Sequence, residues 1–329
     1  MKWFITPREM RRLGIVGMNQ RNTDMIARLN QRRNYPLVDD KLLTKKLALE
    51  AGIAVPELYG VIQTNHDARH LRDMISGHDD FVIKPAHGSG GNGILVITGR
   101  MGERFRKASG MLEDIEGLEH HVSNILSGMY SLGGQPDKAM IEYRVRFDPL
   151  FAEVSFQGVP DIRTVVYRGY PVMAMVRLPT RGSDGKANLH QGAVGAGIDI
   201  ATGVTGHGVW HNEIVDRHPD TGALIGGIAI PDWDRLLALA AGCHELTGLG
   251  YLGVDVVLDR DLGPLILELN ARPGLAVQVA NGAGLRDCID RVEAAEPKDP
   301  MSPAERAALV QALMDPGPDR SGNKTASSA

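Results

Sequence analysis

The sequence predicts an α+β protein whose lobes share one cleft, and three observations carry that expectation. Residues 253–258 and 265–270 are short apolar runs of strand length joined by turn residues 259–264, the pattern of a hairpin. Residues 81–85 and 94–98 are two more strand-like runs, separated by the glycine-rich stretch 86–93. Between such strands lie helix-like segments, the clearest with Leu236, Leu239, Ala240, Cys243 and Leu246 at 3- and 4-residue intervals. At 329 residues the chain is long enough for two or more lobes and a substantial core.

Taken in order, residues 1–38 are polar and basic, with helical spacing at 7–16 and 23–29. Arg8, Arg11, Arg12, Arg21, Arg28, Arg32 and Arg33 make this the most positive part of the chain. It reads either as a solvated helical face or as a surface for an anionic acceptor or a neighbouring subunit. Residues 39–52 read as a helix that opens on acids and closes on Gly52. An extended segment from 53 and a polar helix at 67–75 follow.

The strand 81–85 carries Lys84 and runs straight into Gly88, Ser89, Gly90, Gly91 and Gly93. Glycines permit positive φ and close approach, so backbone N–H groups of such a loop can cover phosphate oxygens. No Gly-Lys-Ser/Thr follows, so this is not a Walker A loop. Residues 103–126 are predicted helical, 131–137 a break, and 139–144 a strand whose end is a hinge able to meet an adenine through main chain.

Strands 161–167 and 170–177 are joined by the tight turn Arg168-Gly169. Alternation puts Asp161 and Arg163 on one face, where Arg163 and Arg177 converge across the pair. Residues 180–206, rich in Gly, Asn, Asp and Ser, are expected to form a functional loop carrying Asn188 and His190. A hairpin about 219–222, a helix from Asp232, helices at 281–293 and 302–314, and a disordered tail at 315–329 complete the reading.

The hairpin 253–270 places Asp255, Glu268 and Asn270 on one face. Two acids and an amide inside apolar strands are expensive to bury unpaired, so they call for a cation. Hard oxygen donors suit magnesium, which takes its remaining ligands from water and substrate phosphates.

Net charge is −4, giving no overall attraction for nucleic acid or anionic membrane. Hydrophobic residues make up 43% and charged residues 23%, ordinary for a soluble globular protein, and no apolar run approaches membrane-spanning length. Cys243 and Cys288 lack metal-ligand spacing and read as reduced core thiols. No nucleic acid, no membrane insertion and a cytoplasmic location are expected.

Asp40-Lys41, residues 81–93, Asp161-Ile162-Arg163, Asn188-Leu189-His190-Gln191-Gly192, Gly253-Val254-Asp255 and Glu268-Leu269-Asn270-Ala271-Arg272-Pro273-Gly274 occur in this order and spacing. As an ordered set they resemble the ATP-grasp superfamily, and within it the RimK-type α-L-glutamate ligases, over about residues 39–290. The resemblance implies an ATP-grasp fold: a helical segment 1–38 in place of a full preceding domain, then an ATP-grasp domain 39–290. That domain would comprise a glycine-loop lobe about 81–140 and a metal-binding lobe about 141–290, ahead of a C-terminal helix and tail, 291–329.

It further implies ATP held by Lys41 and Lys84 under the glycine loop, with adenine at the main chain of Glu142 and Tyr143 and ribose at Glu153 or Asp161. One or two magnesium ions, or manganese, would sit on Asp255, Glu268 and Asn270. The implied reaction joins a carboxylate to an amine, glutamate or another amino acid, through an acylphosphate. Arg163, Arg177, Arg272, Asn188 and His190 would hold the carboxylate and the oxyanion, and Arg272 would favour an anionic substrate. Small-molecule or peptide substrates and a homo-oligomer are compatible with this reading, whose alternatives are a kinase-like phosphotransferase and a non-catalytic nucleotide-binding module.

Overall fold

The computed structural model describes residues 6–88, 90–295 and 300–315. Two antiparallel sheets organise them. The first has six strands, β1 (Leu58–Ile62), β2 (Phe81–Pro85), β3 (Leu95–Met101), β4 (Arg104–Lys107), β5 (Leu112–Glu113) and β6 (Ala139–Glu142), in the order β1-β6-β2-β3-β4-β5. The second has seven: β7 (Asp161–Tyr167), β8 (Tyr170–Leu178), β9 (Val194–Ile198), β10 (Thr205–Trp210), β11 (Glu213–Val215), β12 (Tyr251–Asp259) and β13 (Gly263–Asn270). Their order is β11-β10-β9-β8-β7-β12-β13.

Helix α1 (Lys41–Glu50) starts on Asp40, whose side chain accepts from the N–H groups of Leu42 and Leu43. It buries Thr44, Lys45 and Ala48 on one face. Helix α2 (Ile115–Leu126) lays Ile115, Leu118, Val122 and Ile125 on the first sheet, where they join Phe81, Ile83, Ile97 and Ile141 in one core. Helix α3 (Trp233–Thr247) presents the expected stripe, with Leu236, Ala240 and Cys243 buried in a second, larger core. That core also takes α4 (Ala276–Asn281), α5 (Leu285–Ala294) and α6 (Pro303–Met314).

Three sequence expectations change. Residues 103–113, read as helix, form β4 and β5. Phe105 is buried edge-on to Phe81 at 5.8 Å while Arg104 and Arg106 on either side are exposed, a two-residue alternation. The span 180–206, read as one loop, contains the wholly buried β9. Its glycines mark close packing: a side chain on Gly195 would meet Leu189 Cδ2 at 2.7 Å, and one on Gly197 would meet Asn281 Oδ1 at 2.6 Å. The single helix expected over 281–293 divides into α4 and α5 at Gly282, whose φ is +57°.

The basic N-terminal segment packs one side into the larger core and leaves most of its arginines on a solvated outer face. Val16, Met25, Ile26 and Val38 are buried there. Asn30 Nδ2 donates to the carbonyls of Tyr251 and Ala271, both at 2.7 Å, and its Oδ1 accepts from Tyr251 N–H at 2.9 Å. Gln278 similarly exchanges two hydrogen bonds with the backbone of Val16. The tail expected to be disordered lies, from 316 onward, outside the described residues.

Candidate active site

Lys41, Thr44, Lys45, Val55, Lys84, Leu267 and Glu268 line one cleft between α1, β2 and β13. Lys41 opens α1 and reaches both sides of it: Nζ donates to the Gly88 carbonyl at 2.6 Å and lies 3.4 Å from Glu268 Oε1. One turn later Lys45 faces the same way. It donates to the Pro56 carbonyl and to Glu142 Oε2, both at 2.5 Å, while Lys84 binds Glu142 Oε1. Glu142 is fully enclosed, and burial alone would raise its carboxyl; the two lysines outweigh that and hold it below its usual range.

The glycine loop is tied to α1 at its base. His87 Nδ1 lies 2.7 Å from Asp137 Oδ1, and its Nε2 lies 3.5 Å from Asp40 Oδ2. Gly90, Gly91 and Gly93 have φ of +64°, +77° and +77°, which only glycine adopts freely. The tip leans toward residues 186–191. A side chain added at Gly91 would begin 3.8 Å from Lys186 Cδ, and one at Gly90 would begin 4.0 Å from Gln191 Nε2. Ser89 lies outside the described residues.

Across the second sheet a charged row follows from register. Asp161 faces Arg177 on β8, Arg163 faces Asp255 on β12, and Asp255 faces Glu268 on β13. A bulge after Asp255 sets Glu268 opposite it, and Asn270 opposite Gly253. Arg163 binds Asp255 through two bonds at 2.6 and 2.5 Å, and Arg177 binds Asp161 through two at 2.5 Å and Asp255 at 2.8 Å. Glu268 is 43% exposed at its side chain. Asn270 Oδ1 accepts from the N–H of Arg272, whose guanidinium sits 5.2 Å over the Tyr35 ring.

Burial raises the Asp255 carboxyl, but Arg163 and Arg177 together bring it down to about 2. Burial also raises Asp161, Arg177 opposes it, and the neighbouring Asp255 charge adds to the rise, leaving it at about 6. The two acids therefore shape stability with opposite signs. The Asp255 contribution is present above its unfolded value near 4 and is lost as pH falls toward 2. The Asp161 contribution is full below about 4 and is lost as pH rises through about 6. Urea unfolding should show the cluster most stabilising near pH 4 to 5, and Asp161→Asn should flatten the decline above pH 5; parallel profiles for the two proteins would contradict this assignment.

The structure brings Lys41, Lys84, Gly88, Glu142 and Glu268 to one cleft, and Arg163, Arg177, Asp161 and Asp255 to one cluster. Other expected residues sit differently. Asp161, expected at a ribose, has both oxygens occupied by Arg177, and Glu153, its alternative, is exposed in a turn after residue 151. The Tyr143 N–H, expected to face adenine, donates to the Glu57 carbonyl at 2.8 Å. Its hydroxyl is pushed up to about 12 by burial and its bond to Asp259. Asn188 caps its own short turn by accepting from His190 N–H, and His190 is exposed.

Among the described residues no three His, Cys, Asp or Glu side chains are grouped to hold a metal ion. The expected donors Asp255, Glu268 and Asn270 are hard oxygens on one face, but both Asp255 oxygens are held by Arg163 and Arg177 and Asn270 Oδ1 accepts from Arg272, which leaves the Glu268 carboxylate as the exposed donor of the three. Sequence reasoning missed Lys45 and His87. The signal for Lys45 was its i+4 spacing from Lys41 within a helix.

Paired sheets with a glycine loop, cleft lysines and an acid–amide face define an ATP-grasp architecture. The chain belongs to the sugar-transfer associated ATP-grasp family, whose model matches residues 20–294. A probable alpha-L-glutamate ligase of Aliivibrio salmonicida (strain LFI1238) is 26% identical over 246 residues, covering 74% of this chain and 59% of that protein. Another, of Pseudomonas putida (strain GB-1), is 24% identical over 251 residues, covering 76% and 61%. This chain thus spans about three fifths of the length of those relatives. Among solved structures, the ATP-grasp ligase PsnB complexed with minimal precursor has 16% identity and a TM-score of 0.45, covering 82% of this chain and 64% of that one. D-alanine–D-alanine ligase from Bacillus anthracis has 14% identity and a TM-score of 0.44, covering 80% and 71%.

Proposed function

We propose that this chain is an ATP-dependent carboxylate–amine ligase, with glutamate or another amino acid as the amine. The observation that carries the proposal is the cleft itself: Lys41, Lys45 and Lys84 face Glu268 across it, and Lys41 also holds the glycine loop. Cations on one wall and an oxygen-donor face on the other suit a triphosphate lying between them. The names of the relatives agree with this reading.

In this scheme Lys41 and Lys84 bind phosphate oxygens and the glycine loop excludes water above them. Glu268, with Asn270 and with Asp255 once it exchanges an arginine contact, would hold one or two magnesium ions, or manganese, which would supply positive charge against that developing on phosphoryl oxygens. A carboxylate oxygen of the acceptor attacks the γ-phosphorus, the bond to ADP breaks, and an acylphosphate forms. The amine nitrogen then attacks the acyl carbon, phosphate departs with the C–O electron pair, and the amine loses a proton.

Arg272, just past β13, is 57% exposed and only loosely paired with Asp39 at 3.9 Å, an arrangement that suits exchange onto an incoming carboxylate. Arg163 and Arg177, being committed to buried acids, act by fixing Asp255. In this scheme Asn188 and His190, beside Gln191 in the loop near the glycine tip, would contact the acceptor. Among the described residues no helix is long and apolar enough to cross a membrane. We place the reaction in the cytoplasm, where ATP and amino acids are abundant.

The test is to incubate the protein with ATP, magnesium, pooled amino acids and candidate carboxylates, following ADP, free phosphate and product masses. ADP and phosphate released only when both substrates are present, with a new amide, is the expected result. ADP without free phosphate would replace the ligase with a phosphotransferase. Bound nucleotide without turnover would leave only a binding module.

A further inference from the structure

We propose that Lys45 is a positioning residue that frees Lys84 for a nucleotide phosphate: it stays on Glu142 when Lys84 leaves. The inference rests on the nucleotide reading above and adds how the cleft exchanges charge.

Three observations support it. Glu142 is 2% exposed, and each of its oxygens is taken by a different lysine. One buried carboxylate needs one ammonium for neutrality, yet Lys45 and Lys84 are both 6% exposed, so the group carries a surplus positive charge inside the protein. Such a charge is expensive unless an anion arrives to meet it, and both lysines line the cleft. Finally, the two are held unequally. Lys45 has a second acceptor, the Pro56 carbonyl at 2.5 Å, whereas Glu142 is the one acceptor of Lys84 among the described residues.

Lys84 is therefore the lysine that can move. Were it the sole partner, its departure would leave Glu142 charged and unpaired in the interior, a loss that would offset the new phosphate contact. With Lys45 in place the carboxylate stays paired throughout. Burial brings the Lys45 ammonium below its usual range, and the Glu142 contact opposes that fall.

The test is titration with a fluorescent N-methylanthraniloyl ATP and, separately, adenosine. Lys45→Met should weaken ATP binding by about tenfold or more, since Lys84 is then fixed on Glu142. Adenosine binding should be unchanged, whereas a merely structural lesion would weaken both ligands. The double variant Lys45→Met/Glu142→Gln should recover most of the ATP affinity, because Lys84 is released again.

Unchanged ATP binding in Lys45→Met would overturn the proposal, as would a double variant no better than the single one. If Lys45→Met does not fold, Glu142→Gln alone still decides: it should bind ATP at least as tightly as the unaltered protein, and weaker binding refutes the scheme. An unaltered protein that binds neither ligand would instead sink the nucleotide reading, and this inference with it.

Discussion

Glu268→Gln is expected to lower turnover by about a thousandfold or more while the melting temperature stays within a degree or two of the unaltered protein. The side chain is nearly half exposed, and its ion-pair partner is Lys41 at 3.4 Å, an interaction of little consequence for folding. Its carboxylate is the accessible member of the Asp255–Glu268–Asn270 face, so the substitution removes the charge of the proposed metal ligand and little else. Steady-state ADP release at saturating magnesium, with a thermal melt of the same sample, checks both halves. Turnover within tenfold of the unaltered enzyme would remove Glu268 from the proposed site.

Asp255→Asn would be the poorer experiment, although the sequence alone ranks the two alike. The Asp255 carboxylate lies between Arg163 and Arg177, 2% exposed. Neutralising it leaves buried guanidinium charge without its counter-ion, which typically costs about 3–5 kcal/mol. Loss of activity would then mix chemistry with unfolding. Of the two, Glu268→Gln is therefore the substitution that separates chemistry from folding.

The contrast shows what local pattern can and cannot convey. The hairpin, its register and the shared face of Asp255, Glu268 and Asn270 follow from two-residue alternation, which depends only on neighbours along the chain. So do Lys84 on its strand and Asp40 at the start of α1. What pairs across the fold is hidden from such reasoning. Asp161 reads as a ribose contact, yet both its oxygens are bound by Arg177; Glu142 reads as a hinge, yet its side chain is enclosed by lysines from α1 and β2. Glycine misled in one place and informed in another: Gly90 and Gly91 do form a loop, while Gly195 and Gly197 let β9 lie tight against Leu189 and Asn281.

Membership of the family is consistent with this division. The ordered motifs that indicated an ATP-grasp chain are those fixed by local geometry. The family model begins at residue 20, inside the basic segment, and ends in α5. Residues 20–38 thus belong to the matched region, in agreement with Met25, Ile26, Asn30 and Val38 lying in the core. The arginines of this segment alternate with those buried positions, so the charge is the outer surface of a packed element. Arg21 reaches the Pro273 carbonyl at 3.4 Å, next to Arg272.

Asn30→Ala should therefore be among the most damaging single changes outside the cleft, destabilising the protein by about 3–5 kcal/mol. The Asn30 amide is 3% exposed and satisfies three backbone groups at once: the N–H and C=O of Tyr251 and the C=O of Ala271. Alanine leaves all three without a partner in a place that water reaches poorly, and each unsatisfied group costs about 1–3 kcal/mol. For a chain of this size that corresponds to a fall of roughly 10 °C in melting temperature. The effect should extend to activity at temperatures where the variant is still folded, because Ala271 sits between Asn270 and Arg272 and its carbonyl is one of those released. Asn30→Asp is the informative companion: it keeps the acceptor for Tyr251 N–H but turns a carboxylate toward two carbonyl oxygens, so it should melt no higher than the alanine variant. An Asn30→Ala protein that melts with the unaltered one would show that the N-terminal segment is not held to β12 and β13 by this side chain.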